Sequence, residues 1–240
     1  AFKINNYDSK GIHAITMPGF GTTKRTKSNA QILMDLLHVS SEEISIVDGV
    51  NQHFKDIHHD PEVHNITYEN SQARERTQIL MDLSNAYNAI VVGTGDLSEL
   101  ALGWCTYNGD HMSMYAVNAS VPKTLVRYIV ESVALKDEIL HDVLMDICDT
   151  PVSPELLPPD KNGKIAQKTE EVLGSYDLHD FFLYQMLRHH DEPKKIYDLA
   201  CVAFKDVEKE TIKKAITTFY NRFFTQQFKR NCMPDGVKVG

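Results

Sequence analysis

Three short turns carry the residue types that chemistry needs. The first, MPGFGTTKRT at residues 17–26, is glycine-containing and hydroxyl-rich, with Lys24 and Arg25 at its end. It lacks the third glycine of a dinucleotide fingerprint and the Gly-Lys-Ser/Thr ending of a phosphate loop, so by itself it reads as a flexible turn. The second, VVGTGDLSELALGW at residues 91–104, is more informative. Gly93, Thr94 and Gly95 let backbone N–H groups approach a phosphate, and Asp96 opens a helix whose N-terminus favours an anion. Asp96 and Glu99 also have the D-x-x-E spacing of a capping box, which is purely local work. A carboxylate there equally suits Mg2+, which takes one or two protein oxygens and completes its shell from substrate and water. Spacing alone leaves both readings open. The third turn, WCTYNGD at residues 104–110, crowds aromatic, hydroxyl and acidic groups together. Its rings suit stacking on a flat ligand and Asp110 suits proton transfer; a tyrosine corner and a turn aspartate are the structural alternatives.

Two further signals are weaker. The C-terminal stretch at residues 223–240 sets Lys229, Arg230 and Lys238 against Asp235, a local basic excess suited to closing over phosphates or simply to being solvated. His53, His58, His59 and His64 form the richest histidine cluster, but the segment reads as loop without HExxH spacing, and a metal site is not expected there.

The elements that position these turns alternate in the first half. GIHAITM at residues 11–17 reads as a strand running into Pro18 and Gly19, and Ala30, Leu33, Met34 and Leu37 recur at helical spacing. ISIV at residues 44–47 reads as a second strand, residues 71–87 as a helix and AIVV at 89–92 as a third strand. Strands alternating with helices predict an α/β fold with a mostly parallel sheet buried on both faces, where ligands bind at the carboxyl ends of strands. After a last strand near Val117 the pattern turns helical, with Pro122 in the first turn of a helix carrying Leu125, Ile129 and Val133. Further helices are expected around Phe182 and Met186 and around Ile212, Ile216, Phe219 and Phe223, and the proline-dense residues 151–164 read as a loop. This divides the chain into an α/β part at 1–120 and a mainly helical part at 121–240.

The 240 residues, 42% hydrophobic and 24% charged, fit one ordinary domain or two small ones and exclude a disordered chain. Thirty-three acidic against 25 basic residues give a net charge of −8, which argues against sequence-independent nucleic-acid binding. No apolar run approaches the ~20 residues of a membrane span. The 4 cysteines show no CxxC or zinc-ligand pairing and suit a reducing cytoplasm. The first residue is Ala, and the chain starts on what reads as the end of an element, so a longer parent protein is expected.

Taken together, MPGFGTT, the run ENSQARERTQILMDLSNAYNAIVVGTGDLSELALGWCTYNGD, MSMYAVNASVPKTLV and FKRNCMPDGVKVG resemble the synthetase domain of glutamine-dependent NAD+ synthetases, from about Gly11 to the C-terminus. The resemblance implies the N-type ATP pyrophosphatase superfamily, with an adenine nucleotide alpha hydrolase-like, Rossmann-like sheet. It also implies an ATP-dependent amidation. The nicotinate carboxylate of deamido-NAD attacks the α-phosphate of ATP, and ammonia displaces AMP from the acyl-adenylate. By the same resemblance Met17 lies near the adenosine, Thr94 contacts ATP, and Lys123 and Ser153 steady its phosphates. Glu99 resembles the residue that holds Mg2+ close to deamido-NAD, whose site is lined by Asn70, Arg74, Trp104, Cys105, Thr106 and Tyr107. Asp110 is similar to the aspartate beside the incoming ammonia, and Lys229 to a lysine that closes over the site. Tyr107 stands where ammonia-dependent members carry a lysine, as in the glutamine-dependent branch. The family's partners would be a second subunit and a glutaminase domain that supplies ammonia. The SGGxDS pyrophosphate loop and the glutaminase domain are absent from these residues, and the loop's strand is a core element of the superfamily's sheet. Two alternatives stand beside this reading: a non-catalytic binding or dimerisation module, and another ATP pyrophosphatase with a different substrate.

Overall fold

Side-chain oxygens of Thr23, Asp96 and Ser175 cap the helices that follow them, while other helices start on hydrophobic spacing alone. The computed structural model describes residues 1–153, 156–158 and 169–238. In chain order the elements are β1 (His13–Thr16), α1 (Lys24–Leu36), β2 (Ser40–Glu43), α2 (Val47–Asp56), α3 (Ile66–Tyr87), β3 (Val92–Gly93), α4 (Leu97–Leu102) and β4 (Tyr115–Ala116). The chain continues through α5 (Lys123–Ala134), α6 (His141–Cys148), α7 (Thr169–Leu173), α8 (Tyr176–His189), α9 (Pro193–Ala203), α10 (Lys209–Thr225) and a 3-10 turn at Gln227–Cys232. None of the helices described is long and apolar enough to cross a membrane.

Two compact units interleave along the sequence, Ala1–Leu83 with Tyr128–Lys168, and Ser84–Arg127 with Thr169–Gly240. They partition the chain differently from a single division at residue 120, because the first half and the helical second half contribute to both. In the first unit β1 and β2 pair in parallel from His13 opposite Ser40 to Thr16 opposite Glu43. Thr23 caps α1 by accepting from the Thr26 N–H. The core gathers Ile46, Val50, Phe54 and Tyr68, with Met17 and Phe20 packed against it.

The second strand is corrected: it is Ser40–Glu43, not residues 44–47. Ladder bonds need only extended backbone, and the polar SSEE run lies largely exposed, so apolar alternation is no guide there. Ile46 is instead the first of three buried residues at helical spacing, Ile46, Val50 and Phe54, and α2 starts at Val47. The expectation of strands buried on both faces also fails for β2 and for β3, where Val92 is exposed. His53 lies inside α2 rather than in a loop. Pro122 stands just before α5 rather than in its first turn, its carbonyl accepting from the Val126 N–H at 3.0 Å. In the proline-dense stretch residues 151–153 and 156–158 form no helix or strand, and the remainder of 151–164 lies outside the described residues.

In the second unit β3 and β4 pair in parallel, Val92 opposite Tyr115 and Gly93 opposite Ala116. The chain's last turn returns to this pair, because Ala116 also bridges Gly236 in parallel. A Cβ on Gly236 would stand 2.3 Å from the Ala116 carbonyl oxygen, so the close approach requires glycine. The core lies between α4, α8, α9 and α10, around the fully buried Leu102, Phe182, Ile196, Ala200, Ile212 and Phe219. Gly103 ends α4 in the left-handed conformation at φ 59°, and a Cβ there would meet Gln226 Cβ at 2.3 Å. Strain and overlap together should make Gly103→Ala cost about 2–4 kcal/mol. Urea unfolding of the two forms measures it, and an unchanged midpoint would contradict the close packing of residue 226 on α4.

Candidate functional site

The GTG turn delivers the chain from β3 into α4, whose first turn is held by an ammonium. Asp96 is the N-cap of α4: its carboxylate accepts from the Glu99 N–H at 2.9 Å, and Glu99 Oε2 accepts from the Asp96 N–H at 3.2 Å. The capping box expected from D-x-x-E is therefore real, yet it does not exhaust either carboxylate. Lys123, the first residue of α5, places Nζ 2.7 Å from Asp96 Oδ2 and 2.7 Å from Glu99 Oε1. The Tyr176 ring lies beneath this ammonium at 5.4 Å. Burial would depress the Lys123 pKa, but Glu99 and Asp96 outweigh it and hold it above the ordinary lysine value. Glu99 is also shifted up, first by burial and then by Asp96, with Lys123 opposing. Both directions reflect one cation shared by two carboxylates in a largely dehydrated place.

Behind this triad, Ser98 and Asp180 lock the helix ends. Asp180, on α8, accepts from Ser98 Oγ, from the Thr124 N–H at 2.9 Å and from Thr124 Oγ1 at 2.8 Å. Ser98 Oγ in turn accepts from the Lys123 N–H at 2.8 Å. Thr94 is exposed in the turn that precedes the triad.

The C-terminal end of α4 is as fully occupied as its N-terminal end. Arg222 donates to the Leu102 carbonyl at 2.9 Å and lies over the Trp104 ring at 5.2 Å. Lys229 Nζ donates to the carbonyls of Gly103 at 2.8 Å and Cys105 at 2.6 Å, and Arg230 to those of Leu100 at 3.2 Å and Ala101 at 3.0 Å. Three cations thus meet carbonyls at and just beyond the negative end of the helix. The basic tail is tied down here rather than solvated, and burial lowers the pKa of Lys229 and Arg230.

The WCTYNGD turn folds over this end. Asp110, exposed, accepts from the Thr106 N–H at 2.6 Å, as a turn aspartate does. The Tyr107 ring packs against Phe228 and His111, and its hydroxyl lies 3.4 Å from Asn231 Oδ1. Buried His111 is held between the Thr106 carbonyl at 2.9 Å and Cys232 Sγ at 3.3 Å. Burial, reinforced by Asp110 and against Lys229, pushes the Cys105 thiol up to about 12. Its thiolate is then about 10³-fold scarcer than that of an ordinary cysteine at neutral pH. Alkylation of Cys105 by iodoacetamide should accordingly be slow in the folded protein and become fast on unfolding; equal rates in both states would contradict the burial.

The first unit holds the remaining expected residues. Met17 directly follows β1, its carbonyl accepting from Arg76 Nε at 3.0 Å. Gln72 accepts from the Phe20 N–H at 3.2 Å and donates to the Leu156 carbonyl at 2.7 Å, so α3 fixes the MPGFGTT turn. Asn70 and Arg74 lie on the same helix, and Ser153 precedes the partly described loop. Glu99, Lys123, Trp104 to Tyr107, Asp110, Thr94 and Lys229 all belong to the second unit. Sequence reasoning missed Ser98, Asp180, Tyr176 and Arg222. The available signal was charge on apolar helix faces: Asp180 beside Phe181 and Phe182, and Arg222 beside Phe219 and Phe223.

Comparison with known proteins bears directly on this arrangement. The family model described as NAD synthase matches residues 3–232. A glutamine-dependent NAD(+) synthetase from Mycobacterium leprae is 41% identical over 95% of this chain, which spans 37% of that relative's length. The solved glutamine-dependent NAD(+) synthetase from Cytophaga hutchinsonii superposes with a TM-score of 0.71 at 18% identity, covering 94% of this chain and 35% of that one. That likeness shows the fold to be α/β of the adenine nucleotide alpha hydrolase-like kind. An Acinetobacter baumannii glutamine-dependent NAD+ synthetase, solved in complex with adenosine diphosphate, gives a TM-score of 0.50 at 25% identity, over 88% of this chain and 36% of that one.

Proposed function

The chain belongs to the NAD synthase family, and from that premise we propose that it is the synthetase part of a glutamine-dependent NAD+ synthetase, amidating deamido-NAD at the expense of ATP. The observation that carries this reading is Lys123 held 2.7 Å from both Asp96 and Glu99 immediately after the glycine turn. A carboxylate is a poor electrophile, and adenylation supplies a good leaving group, so the protein's task is to align two anions and offset their charge. An ammonium carries three N–H donors. With two on carboxylates, Lys123 keeps one for an ATP phosphate oxygen. Met17, Thr94 and Ser153 are assigned to ATP on the same reading, and the ADP bound by the Acinetobacter relative supports an adenine nucleotide as ligand.

The donor set fits Mg2+ in one particular way. Among the described residues no three His, Cys, Asp or Glu side chains gather into a metal cage. Glu99, with Oε1 on Lys123 and Oε2 in a longer bond of 3.2 Å, can offer a single oxygen, and Mg2+ habitually takes the rest from phosphates and water. Bound there, Mg2+ would neutralise phosphate charge; Glu99 would hold it. Asn70, Arg74, Trp104, Cys105, Thr106, Tyr107 and Lys229 are assigned to deamido-NAD. In this assignment Cys105 serves as a half-buried, protonated wall, and Lys229 acts through the backbone it braces at Gly103 and Cys105. Asp110, exposed and with one oxygen on the Thr106 N–H, is assigned the proton released as ammonium becomes ammonia. The working assembly is proposed to be a cytoplasmic dimer or higher oligomer, with ammonia supplied by the glutaminase domain of a longer chain.

Steady-state assays on the full-length protein test this. NAD+ should form from deamido-NAD, ATP and glutamine or ammonium, with AMP and pyrophosphate in equal amounts. ATP consumption indifferent to deamido-NAD would favour an ATP pyrophosphatase of another specificity.

A further inference from the structure

α5 starts without a cap of its own. The residue before it is Pro122, which offers no side-chain oxygen, so the N–H groups of Lys123 and Thr124 have no local acceptor. Both are satisfied from elsewhere in the second unit. Lys123 N–H donates to Ser98 Oγ at 2.8 Å, and Thr124 N–H to Asp180 Oδ2 at 2.9 Å. The Ser98 hydroxyl can accept from Lys123 because it spends its own proton on Asp180 Oδ1, and Thr124 Oγ1 adds a bond of 2.8 Å to the same carboxylate. Asp180 is 8% exposed, and burial raises its pKa against the pull of these donors. One turn earlier on α8, Tyr176 puts its ring under the Lys123 ammonium, so a single helix face touches both the backbone and the side chain of this lysine.

We infer that Asp180 is a positioning residue: by capping α5 in trans and tying it to Ser98 of α4, it sets Lys123 against Asp96 and Glu99, the arrangement on which ATP alignment depends. This rests on the functional reading above for its consequence, though not for its geometry. The carboxylate stands at the N-termini of two helices at once, where a negative charge is favoured. Asparagine at 180 would keep the volume but replace an acceptor by a donor facing donors. The expected result is a loosened first turn of α5 and a displaced ammonium.

The experiment compares Asp180→Asn, Thr124→Val, Lys123→Met and the Asp180→Asn/Lys123→Met double variant in the full-length protein. The first readout is the acetylation rate of Lys123 by mass spectrometry, with the exposed Lys194 as internal reference. Asp180→Asn should speed labelling of Lys123 and leave Lys194 unchanged, and Thr124→Val, which deletes one donor and preserves the side-chain shape, should do the same to a smaller extent. The second readout is kinetic. Asp180→Asn should lower kcat/KM for ATP by about 100-fold, the scale of a misplacement near 1 Å. The double variant should lose no more than Lys123→Met alone, since residues acting through one another are not additive. Unaltered Lys123 labelling in Asp180→Asn, or in Thr124→Val should Asp180→Asn not fold, would overturn the inference, as would additive losses in the double variant. Normal turnover by Lys123→Met would instead defeat the functional reading, and the labelling would still report whether Asp180 holds the lysine.

Discussion

Replacing Glu99 by glutamine in the full-length protein is expected to lower NAD+ formation by about 10³-fold while leaving the fold intact. The substitution is chosen because glutamine also completes a capping box: its amide oxygen can accept from the Asp96 N–H as Glu99 Oε2 does at 3.2 Å. What it removes is charge. Lys123 loses one of its two carboxylate partners, and any Mg2+ loses its protein ligand, at the point where phosphate charge must be offset. Removing one such preorganised electrostatic group costs on the order of 10²–10³ in kcat, and Glu99 serves two charged species. The dependence of rate on Mg2+ concentration should shift upward in the residual activity. Unchanged turnover with unchanged Mg2+ dependence would reduce Glu99 to a helix cap.

Lys123→Met should damage activity to a similar extent and, unlike the glutamine variant, stability as well. Lys123 and Asp96 are 22% and 4% exposed, so the methionine leaves two carboxylates largely dehydrated and without their cation. Breaking such a pair from one side costs about 3 kcal/mol, the low end for buried ion pairs because Glu99 keeps some access to water. The loss also has a definite pH dependence. Glu99 already lies above its ordinary value with Lys123 present, through burial and Asp96; without the lysine it moves higher. The folded variant then keeps the Glu99 proton to a higher pH than the unfolded chain, whose carboxylates titrate near 4. Its stability should therefore rise on acidification towards the ordinary carboxylate range and decline as pH rises through the raised Glu99 value. Denaturant titrations at several pH values check this. A variant as stable as the parent at pH 7, with no gain on acidification, would contradict the dehydrated triad.

What was legible in the sequence divides by range of interaction. The Asp96–Glu99 box was readable because its partners stand three residues apart and both bonds are local. The helices of the C-terminal part were readable because Ile212, Ile216 and Phe219 repeat at the helical period and are buried as that period requires. β2 was misplaced because its backbone pairs in an exposed, polar stretch, while the apolar residues beside it open a helix. The Lys123–Glu99 pair, 24 residues apart, has no local signature, and neither has the Asp180–Thr124 bond across 56 residues. Resemblance to known motifs singled out Lys123 and Glu99 without giving their contact. Asp180 belonged to no motif, and only the packing of α8 against the start of α5 exposes it. Lys229 shows the converse. Its charge suggested phosphate, whereas its ammonium is bound to the carbonyls of Gly103 and Cys105.

If the full-length protein activates a carboxylate by adenylation, an oxygen of that carboxylate must pass to AMP. Deamido-NAD carrying 18O in its nicotinate carboxylate would be turned over with unlabelled ATP by the full-length protein, and the AMP analysed by mass spectrometry. Attack of the carboxylate on the α-phosphate, followed by displacement of AMP by ammonia, predicts one 18O atom in each AMP formed. AMP free of label, or ADP as the nucleotide product, would contradict the account.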